Sequence, residues 1–279
     1  MTDSGIIDTD GGQIYYQSHG EGPALVLAHG IGGNHAIWFR QVAPFAQTNR
    51  VITFDHRGFG LSRDLDGRGR DAFVDDLRAL LDHLDIETAA LVGQSMGAGT
   101  CIGFAHSSPE RVAALAICDS LHGIAESDAV KAIMDAARAR TGDMDQIERV
   151  LGAAARSADP ALAMLYSQIA SFNSADRTTL GGAFILRPAA ALADKGFPVL
   201  FLCGTEDIVF PVAAMRLVQD EVAGSFLVEV TDSGHSAFLE QPAQFNDTIL
   251  TLLQMAGHIG KARIAHSNAP GYAPIGGRP

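Results

Sequence analysis

Three side chains of this sequence could together perform nucleophilic catalysis: Ser95, Asp207 and His235. Ser95 is the centre of the pentapeptide 93–97 (Gly-Gln-Ser-Met-Gly), a Gly-x-Ser-x-Gly pattern in which a tight turn holds the serine hydroxyl exposed. A serine hydroxyl is a weak nucleophile unless a base accepts its proton, and the base needs a carboxylate to orient it. We therefore predict Ser95 as the nucleophile, His235 as the base and Asp207 as the orienting acid.

The elements that must position these residues are apolar runs typical of buried strands. The runs are apolar at nearly every position rather than at alternate positions, which suits a parallel sheet covered on both faces. They span 24–28, 50–54, 89–92, 112–118, 199–202 and 226–230. Apolar residues at helical spacing predict helices near 71–84, 96–106 and 242–255. This alternation predicts an α/β fold with a doubly wound, mostly parallel sheet.

The three candidates share one position relative to these strands. Ser95 follows the strand at 89–92, whereas Asp207 and His235 follow the last two strands of the chain. Open α/β sheets build their sites at the carboxyl ends of their strands. We therefore expect the three side chains to meet at one edge of the sheet.

Two segments depart from the strand–helix alternation. Near the start of the chain, Gly11-Gly12 divides two short strands, which predicts an antiparallel hairpin and brings the strand count to eight. From 121 to 187 the chain is rich in alanine and has helical stripes, which predicts a helical insertion. The predicted organisation is a core at 1–120 and 188–260, the insertion at 121–187, and a disordered tail at 261–279.

Acyl transfer also needs hydrogen-bond donors for a developing oxyanion. The segment 29–33 (His-Gly-Ile-Gly-Gly) follows the strand at 24–28 and is flexible enough for a backbone N–H to point inward. We predict the N–H groups of Ile31 and Met96 as the two donors. A phosphate-binding role is disfavoured, because neither Gly-x-Gly-x-x-Gly nor Gly-x-x-x-x-Gly-Lys-Ser/Thr occurs there.

The composition narrows the class of partner. The chain has 279 residues, with 20 basic and 32 acidic side chains and a net charge of −12, which argues against nucleic acid and against an anionic membrane surface. No apolar run reaches the roughly 18 residues of a membrane span, and the start of the sequence lacks a signal-peptide pattern. Three cysteines argue against a disulfide framework or a zinc cluster. We expect a cytoplasmic protein, which could form a homo-oligomer and which acts on a small molecule without a metal or an organic cofactor.

Five motifs in this order resemble those of the α/β-hydrolase superfamily, over about residues 5 to 257. They are His29-Gly30, 55–62 (Asp-His-Arg-Gly-Phe-Gly-Leu-Ser), the pentapeptide 93–97, 204–207 (Gly-Thr-Glu-Asp) and Gly234-His235. The resemblance implies the α/β-hydrolase fold, the triad and the oxyanion donors named above. It also implies that the insertion at 121–187 is a helical cap over the active site.

Asp119 also ends a predicted strand, and some members of the superfamily have their acid at that position. The Gly-x-x-Asp-x-x-x-Pro pattern around Asp207 favours Asp207 instead. Within the superfamily, the serine at the turn disfavours dehalogenases and epoxide hydrolases, which carry an aspartate there. The remaining branch includes carboxylesterases, enol-lactonases, carbon–carbon-bond hydrolases and cofactor-free haloperoxidases.

We therefore predict a serine hydrolase that cleaves a small, mostly apolar carboxylic ester or lactone through an acyl-enzyme. One alternative keeps the triad and cleaves a carbon–carbon bond in a diketone of the ring-cleavage type, for which Arg177 or Arg187 could bind a substrate carboxylate. A second alternative is a ligand-binding signalling protein with a slow triad. The predicted substrate pocket is lined by Asn34, Trp38, Met134, Met164, Tyr166 and Phe172.

Overall fold

The computed structural model of the protein describes residues 2–262. The tail predicted at 261–279 therefore lies outside the described residues, apart from its first two positions. The sheet is built from β1 (Thr2–Thr9), β2 (Gly12–His19), β3 (Ala24–Ala28), β4 (Arg50–Phe54), β5 (Arg63–Asp64), β6 (Ala89–Gln94), β7 (Val112–Cys118), β8 (Val199–Gly204) and β9 (Phe226–Val230).

Eight of these strands form one path in the order β1-β2-β4-β3-β6-β7-β8-β9. The pairs β1-β2 and β2-β4 are antiparallel, and from β4 to β9 every pair is parallel. The predicted α/β fold with an eight-stranded, mostly parallel sheet is thus confirmed. The short β5, which pairs with β2, has only two residues and therefore leaves no periodicity in the sequence.

The helices are α1 (Val42–Phe45), α2 (Phe73–His83), α3 (Met96–Ser107), α4 (Asp128–Thr141), α5 (Gln146–Val150), α6 (Ala153–Ala158), α7 (Pro160–Ala170), α8 (Val212–Asp220), α9 (Ala237–Glu240) and α10 (Pro242–Met255). They cover both faces of the sheet, and alternate residues of each strand belong to opposite faces. Val26 packs with the apolar residues of α2, α3 and α8, whereas Leu25 and Leu27 pack with those of α9 and α10. Complete burial of a leucine such as Leu25 or Leu27 contributes about 1.5–3 kcal/mol to the free energy of folding.

Helices α4 to α7 all lie between β7 and β8, in the segment where the helical insertion is predicted. We call residues 121–187 the cap segment, while its status as a separate domain stays a prediction. Within it, α4 packs against α8 of the core, and Ile124 and Arg187 form a parallel bridge between the two ends of the segment. In residues 2–262, no helix is long and apolar enough to cross a membrane.

Candidate active site

Ser95 occupies a sharp turn between the end of β6 and the start of α3. Its backbone has φ 49° and ψ −118°, a region that costs energy for a residue with a side chain. The neighbouring glycines are required by crowding: a Cβ on Gly93 would lie 2.5 Å from Cα of Ala98, and one on Gly97 would lie 2.1 Å from the carbonyl oxygen of Ala28. The turn thus presents the serine hydroxyl at the carboxyl edge of the sheet.

His235 connects Ser95 to Asp207 by two hydrogen bonds. Its Nε2 lies 3.0 Å from Oγ of Ser95, and its Nδ1 lies 2.9 Å from Oδ2 of Asp207. The second oxygen of Asp207 accepts the N–H groups of Val209 (2.7 Å) and Phe210 (3.0 Å), which fixes the carboxylate so that Oδ2 faces the imidazole. All three side chains of the connected set are buried. The residues predicted as a triad therefore meet in the geometry that the roles require.

The loop that carries His235 is held from two sides. Gln94, inside the serine pentapeptide, donates from Nε2 to the carbonyl oxygen of His235 over 2.9 Å. The Glu240 carboxylate accepts the N–H groups of Gly234 (3.0 Å) and Ser236 (3.2 Å), and also that of Gly152 in the cap segment (2.9 Å). Burial raises the pKa of Glu240. Glu240 therefore connects the histidine loop to the cap segment.

Asp119, the other acid considered, does not contact His235 in this structure. Its side chain is fully buried, with Oδ1 accepting the N–H of Gly204 over 2.9 Å, while Oδ2 has no hydrogen-bond partner among residues 2–262. Burial and the nearby Asp207 raise the pKa of Asp119 well above its usual value. Of the two acids, Asp207 is the one hydrogen-bonded to the imidazole, and its role as the orienting acid stays a prediction.

The two predicted oxyanion donors belong to different segments: Met96 follows Ser95 in the chain, and Ile31 lines the same cavity as Ser95. Met96 is the first residue of α3, so its N–H has no acceptor within the helix. Within the described part of the chain, the N–H of Ile31 has no hydrogen-bond acceptor either. The Ile31 carbonyl, in contrast, accepts from the Tyr166 hydroxyl (3.1 Å) and from Nε2 of Gln146 (3.2 Å). The cap segment thus fixes the conformation of this loop.

A cavity of about 710 Å³ opens above Ser95 and is lined by Ile31 and His235 from the core together with much of the cap segment. Of the predicted pocket residues, Met134 lines this cavity. Tyr166 is buried beside it, where its hydroxyl binds the loop of Ile31. A cavity of this size accommodates a small organic substrate.

Besides Tyr166, four more of the residues predicted to line the pocket do not line this cavity, and the prediction is corrected for all five. Trp38 is fully buried against Phe238, with ring centroids 4.7 Å apart. Asn34 binds the carbonyl oxygen of Ile169 in the cap segment, behind the loop of Ile31. Met164 and Phe172 are 62% and 73% exposed, because they lie on the outer surface of the cap segment.

Several polar residues of the cavity were missed by the sequence reasoning. They are His122, Glu126, Lys131, Arg138, Gln146 and Arg149. Burial lowers the pKa of His122 to about 4, so its imidazole is neutral at pH 7. His122 lies four residues beyond the end of β7, and this position at the carboxyl edge was a usable signal. Gln146 and Arg149 are three residues apart on α5 and therefore share a helix face.

In the described part of the chain, no three His, Cys, Asp or Glu side chains are grouped so that they could hold a metal ion.

The fold and the site together define the class of this protein. A family model of the α/β-hydrolase fold matches residues 23–242, and the chain belongs to this family. It is 30% identical over 242 residues to 3-oxoadipate enol-lactonase 2 of Acinetobacter baylyi, a match that covers 83% of this chain and 89% of the relative.

Two solved structures are similar over most of their length. One is a thermophilic esterase from Thermogutta terrifontis, with a TM-score of 0.77, 26% identity, and coverage of 92% of this chain and 99% of the esterase. The other is Est816, described as an N-acyl homoserine lactone degrading enzyme, with a TM-score of 0.74, 30% identity, and coverage of 88% and 99%.

Proposed function

We propose that this protein is a serine hydrolase that cleaves a small, mostly apolar carboxylic ester or lactone through an acyl-enzyme. The observation that carries the proposal is the continuous hydrogen-bonded set from Asp207 through His235 to Ser95, with distances of 2.9 and 3.0 Å. The similarity to an enol-lactonase, an esterase and a lactone-degrading enzyme supports the choice of an ester or lactone bond.

The first half of the proposed reaction forms the acyl-enzyme. Ser95 Oγ attacks the substrate carbonyl while Nε2 of His235 takes the hydroxyl proton. The N–H groups of Ile31 and Met96 stabilise the oxyanion of the tetrahedral intermediate, and Asp207 holds the imidazole in the required tautomer. His235 then gives its proton to the leaving oxygen, which departs as an alcohol or, from a lactone, stays attached to the acyl group.

The second half releases the acid. A water molecule attacks the acyl carbon while His235 takes one of its protons, and the same two N–H groups stabilise the second oxyanion. Collapse of this intermediate returns the proton to Ser95 and frees the carboxylic acid. The positive φ of Ser95 supports this role, because strain of this kind is found where a residue is held ready for reaction.

Labelling with a fluorophosphonate probe tests the nucleophile. We expect the wild type to be labelled and Ser95→Ala to lose both labelling and hydrolysis of 4-nitrophenyl butyrate, with a loss in kcat of at least about 10³-fold. Ser107→Ala is the matched control, since Ser107 lies at the opposite end of α3 and its hydroxyl binds the Phe104 carbonyl. This control should react like the wild type.

Two results would contradict the proposal. Labelling that persists in Ser95→Ala would exclude Ser95 as the nucleophile. Labelling of the wild type without turnover of any member of an ester and lactone panel would favour the ligand-binding protein with a slow triad.

A second candidate function is supported by one observation: Arg177 lines the cavity, whereas Arg187 does not. Arg177 could bind the carboxylate of a ring-cleavage-type diketone, in which the same triad would hydrolyse a carbon–carbon bond. Following the ultraviolet absorbance of such a conjugated diketone distinguishes the two candidates. Its turnover at a higher kcat/KM than the whole ester and lactone panel would replace the first proposal by the second.

A further inference from the structure

The wall of the cavity carries a charge opposite to that of the whole protein. The chain has a net charge of −12, yet the cavity is lined by four basic side chains and, among residues 2–262, a single carboxylate, that of Glu126. The basic residues are Lys131, Arg138, Arg149 and Arg177, and all belong to the cap segment. A concave site lined by one sign of charge attracts ligands of the other sign.

Two of these basic groups are already neutralised by acidic side chains. Lys131 pairs with Asp135 one turn along α4. Arg138 pairs with Asp135 at 2.9 Å and also with Glu126. These pairs satisfy the charges of α4 without any ligand.

Arg149 and Arg177 differ, because neither has an acidic partner among the described residues. Arg177 donates to a neutral acceptor, the carbonyl oxygen of Gly142, over 2.9 Å. The Nε atom of Arg149 is buried and has no hydrogen-bond partner within residues 2–262. Burial and the charge of Arg177 both lower the pKa of Arg149. A guanidinium stays charged at pH 7 regardless, so two adjacent unneutralised cations face the cavity.

The position of Arg149 relates this charge to the reacting atoms. Gln146 and Arg149 lie on the same face of α5, and both line the cavity. Gln146 binds the Ile31 carbonyl in the loop of the proposed oxyanion donor. Arg149 is thus one helical turn from a side chain that contacts the loop of Ile31. Ser95 lines the same cavity, so one bound molecule can contact both Ser95 and Arg149.

We propose that Arg149 and Arg177 form a binding subsite for a carboxylate, so that the substrate is an ester or lactone with a free carboxylate elsewhere in the molecule. Guanidinium groups bind carboxylates through paired, charge-assisted hydrogen bonds. The inference rests on the proposed function, because it concerns the remote end of the molecule that is cleaved at Ser95. The body of the substrate remains apolar, in keeping with Met134, Leu121 and Phe210 in the cavity wall.

Two esters that differ only at the remote end test the subsite. Mono-4-nitrophenyl glutarate carries a terminal carboxylate, while 4-nitrophenyl pentanoate has a methyl group at the corresponding position. We expect the wild type to prefer the glutarate ester by at least about tenfold in kcat/KM, after the spontaneous rate is subtracted. Arg149→Gln should lower kcat/KM on this ester by about 10-fold to 100-fold and change the pentanoate reaction less than about twofold.

Arg140→Gln is the matched control, because Arg140 is an exposed arginine of α4 outside this cavity. It makes the same change in net charge and should leave the preference between the two esters intact.

A second measurement does not depend on turnover: glutarate should bind Ser95→Ala in calorimetry, and the double variant Ser95→Ala, Arg149→Gln should bind it at least about tenfold more weakly.

The outcomes separate this inference from the proposed function. If wild type and Arg149→Gln both cleave the two esters with the same ratio, the carboxylate subsite is refuted while the serine hydrolase stands. If neither ester is cleaved and Ser95 is not labelled, the proposed function itself fails. Glutarate that binds the two Ser95→Ala proteins equally would also refute the subsite.

Discussion

The carboxyl edge of the sheet and the cap segment contribute to the site in different ways. At the edge, strand ends and tight turns place Ser95, Asp207 and His235, and all three are buried. The cap segment contributes side chains from helices of 5 to 14 residues, of which α6 has no buried residue at all. In the proposed function, the backbone of the core positions the reacting groups, while side chains of the cap segment form most of the wall that contacts the substrate.

Polar contacts connect the two regions at the carboxyl edge. Asn173 in the cap segment donates to the Gly33 carbonyl (3.1 Å) and accepts from the N–H of Gly60 (2.9 Å). Glu240 joins the histidine loop to Gly152, and Tyr166 binds the Ile31 carbonyl. These contacts meet loops at the carboxyl edge, so one part of the attachment of the cap segment lies where the reaction is proposed to occur.

The largest effect is expected from the core acid that orients the histidine. Asp207→Asn keeps the shape of the side chain but favours the wrong imidazole tautomer, and should lower kcat by about 10⁴-fold. Asp119→Asn is the matched variant: it removes a buried carboxyl of the same edge that does not contact His235, and should lower kcat less than about tenfold. Steady-state rates on 4-nitrophenyl butyrate, with thermal unfolding as a check of folding, measure both. The assignment would be reversed if Asp119→Asn proved the more damaging change.

Much of this edge could be predicted from the sequence, because its elements leave strong local signals. The buried strands are apolar at nearly every position, so the boundaries predicted for β3, β4 and β7 match those observed. The boundaries of the edge strand β9 also match, although only Val230 of this strand is buried. The triad follows from the same pattern, since each member comes shortly after such a strand. The strain at Ser95 is implied by the flanking Gly93 and Gly97, which the structure shows to be sterically required.

The cap segment was harder to predict, because its helices are rich in alanine and two of them, α5 and α6, have only 5 and 6 residues. Met134 and Met164 are the same residue type, but one is 2% exposed and the other 62%. Helical geometry alone predicts part of this difference. Met164 lies about 200° around the helix from Leu162, and Leu162 is buried with Tyr166, so Met164 is on the opposite, exposed face. The pairs that Lys131 and Arg138 form with Asp135 follow the i,i+4 and i,i+3 spacings of a helix and are visible in the sequence. The pair of Arg138 with Glu126, and the lack of an acidic partner for Arg149 among the described residues, depend on side-chain packing that sequence spacing does not reveal.

An intermediate effect is expected from acid, and His29 of the core contributes to it. His29 is fully buried, its Nε2 accepts the N–H of His56 over 3.0 Å, and burial lowers its pKa to about 4 from 6.5. Below pH 6.5 the unfolded chain therefore binds a proton that the folded chain does not. The free energy of unfolding should fall between pH 6.5 and 4, by up to about 3 kcal/mol from His29 alone.

Urea unfolding of the wild type at pH 7 and pH 5 measures this loss. His29→Gln should show a smaller loss between the two pH values, because glutamine can accept the same N–H without titrating. His83→Gln is the control, since His83 is exposed on α2, and its loss should equal that of the wild type. A loss of the same size in His29→Gln and the wild type would assign the acid sensitivity to other groups.

The smallest effect is expected where the cap segment contacts the loop of Ile31, the proposed oxyanion donor. Tyr166→Phe removes the hydroxyl that binds the Ile31 carbonyl at 3.1 Å, but Gln146 still donates to that oxygen at 3.2 Å. One hydrogen bond of two is lost, so we expect kcat to fall about 3-fold to 10-fold, corresponding to about 1 kcal/mol. Tyr15→Phe, in β2 of the core, is the control and should have no effect on the rate.

The parameter that changes in Tyr166→Phe distinguishes two roles of the cap segment. If the cap only encloses the substrate, loss of the hydroxyl loosens binding and KM rises while kcat is kept. If Tyr166 braces the loop, the N–H of Ile31 is less well aligned with the oxyanion, and an interaction made only in the transition state is weakened, which lowers kcat. Gly32 favours the second role, because its φ is +89° and a Cβ added to it would lie 2.4 Å from the Tyr166 hydroxyl, so the two regions fit closely there. A rise in KM without a fall in kcat would therefore show that Tyr166 does not brace the loop, and that the cap segment only encloses the substrate.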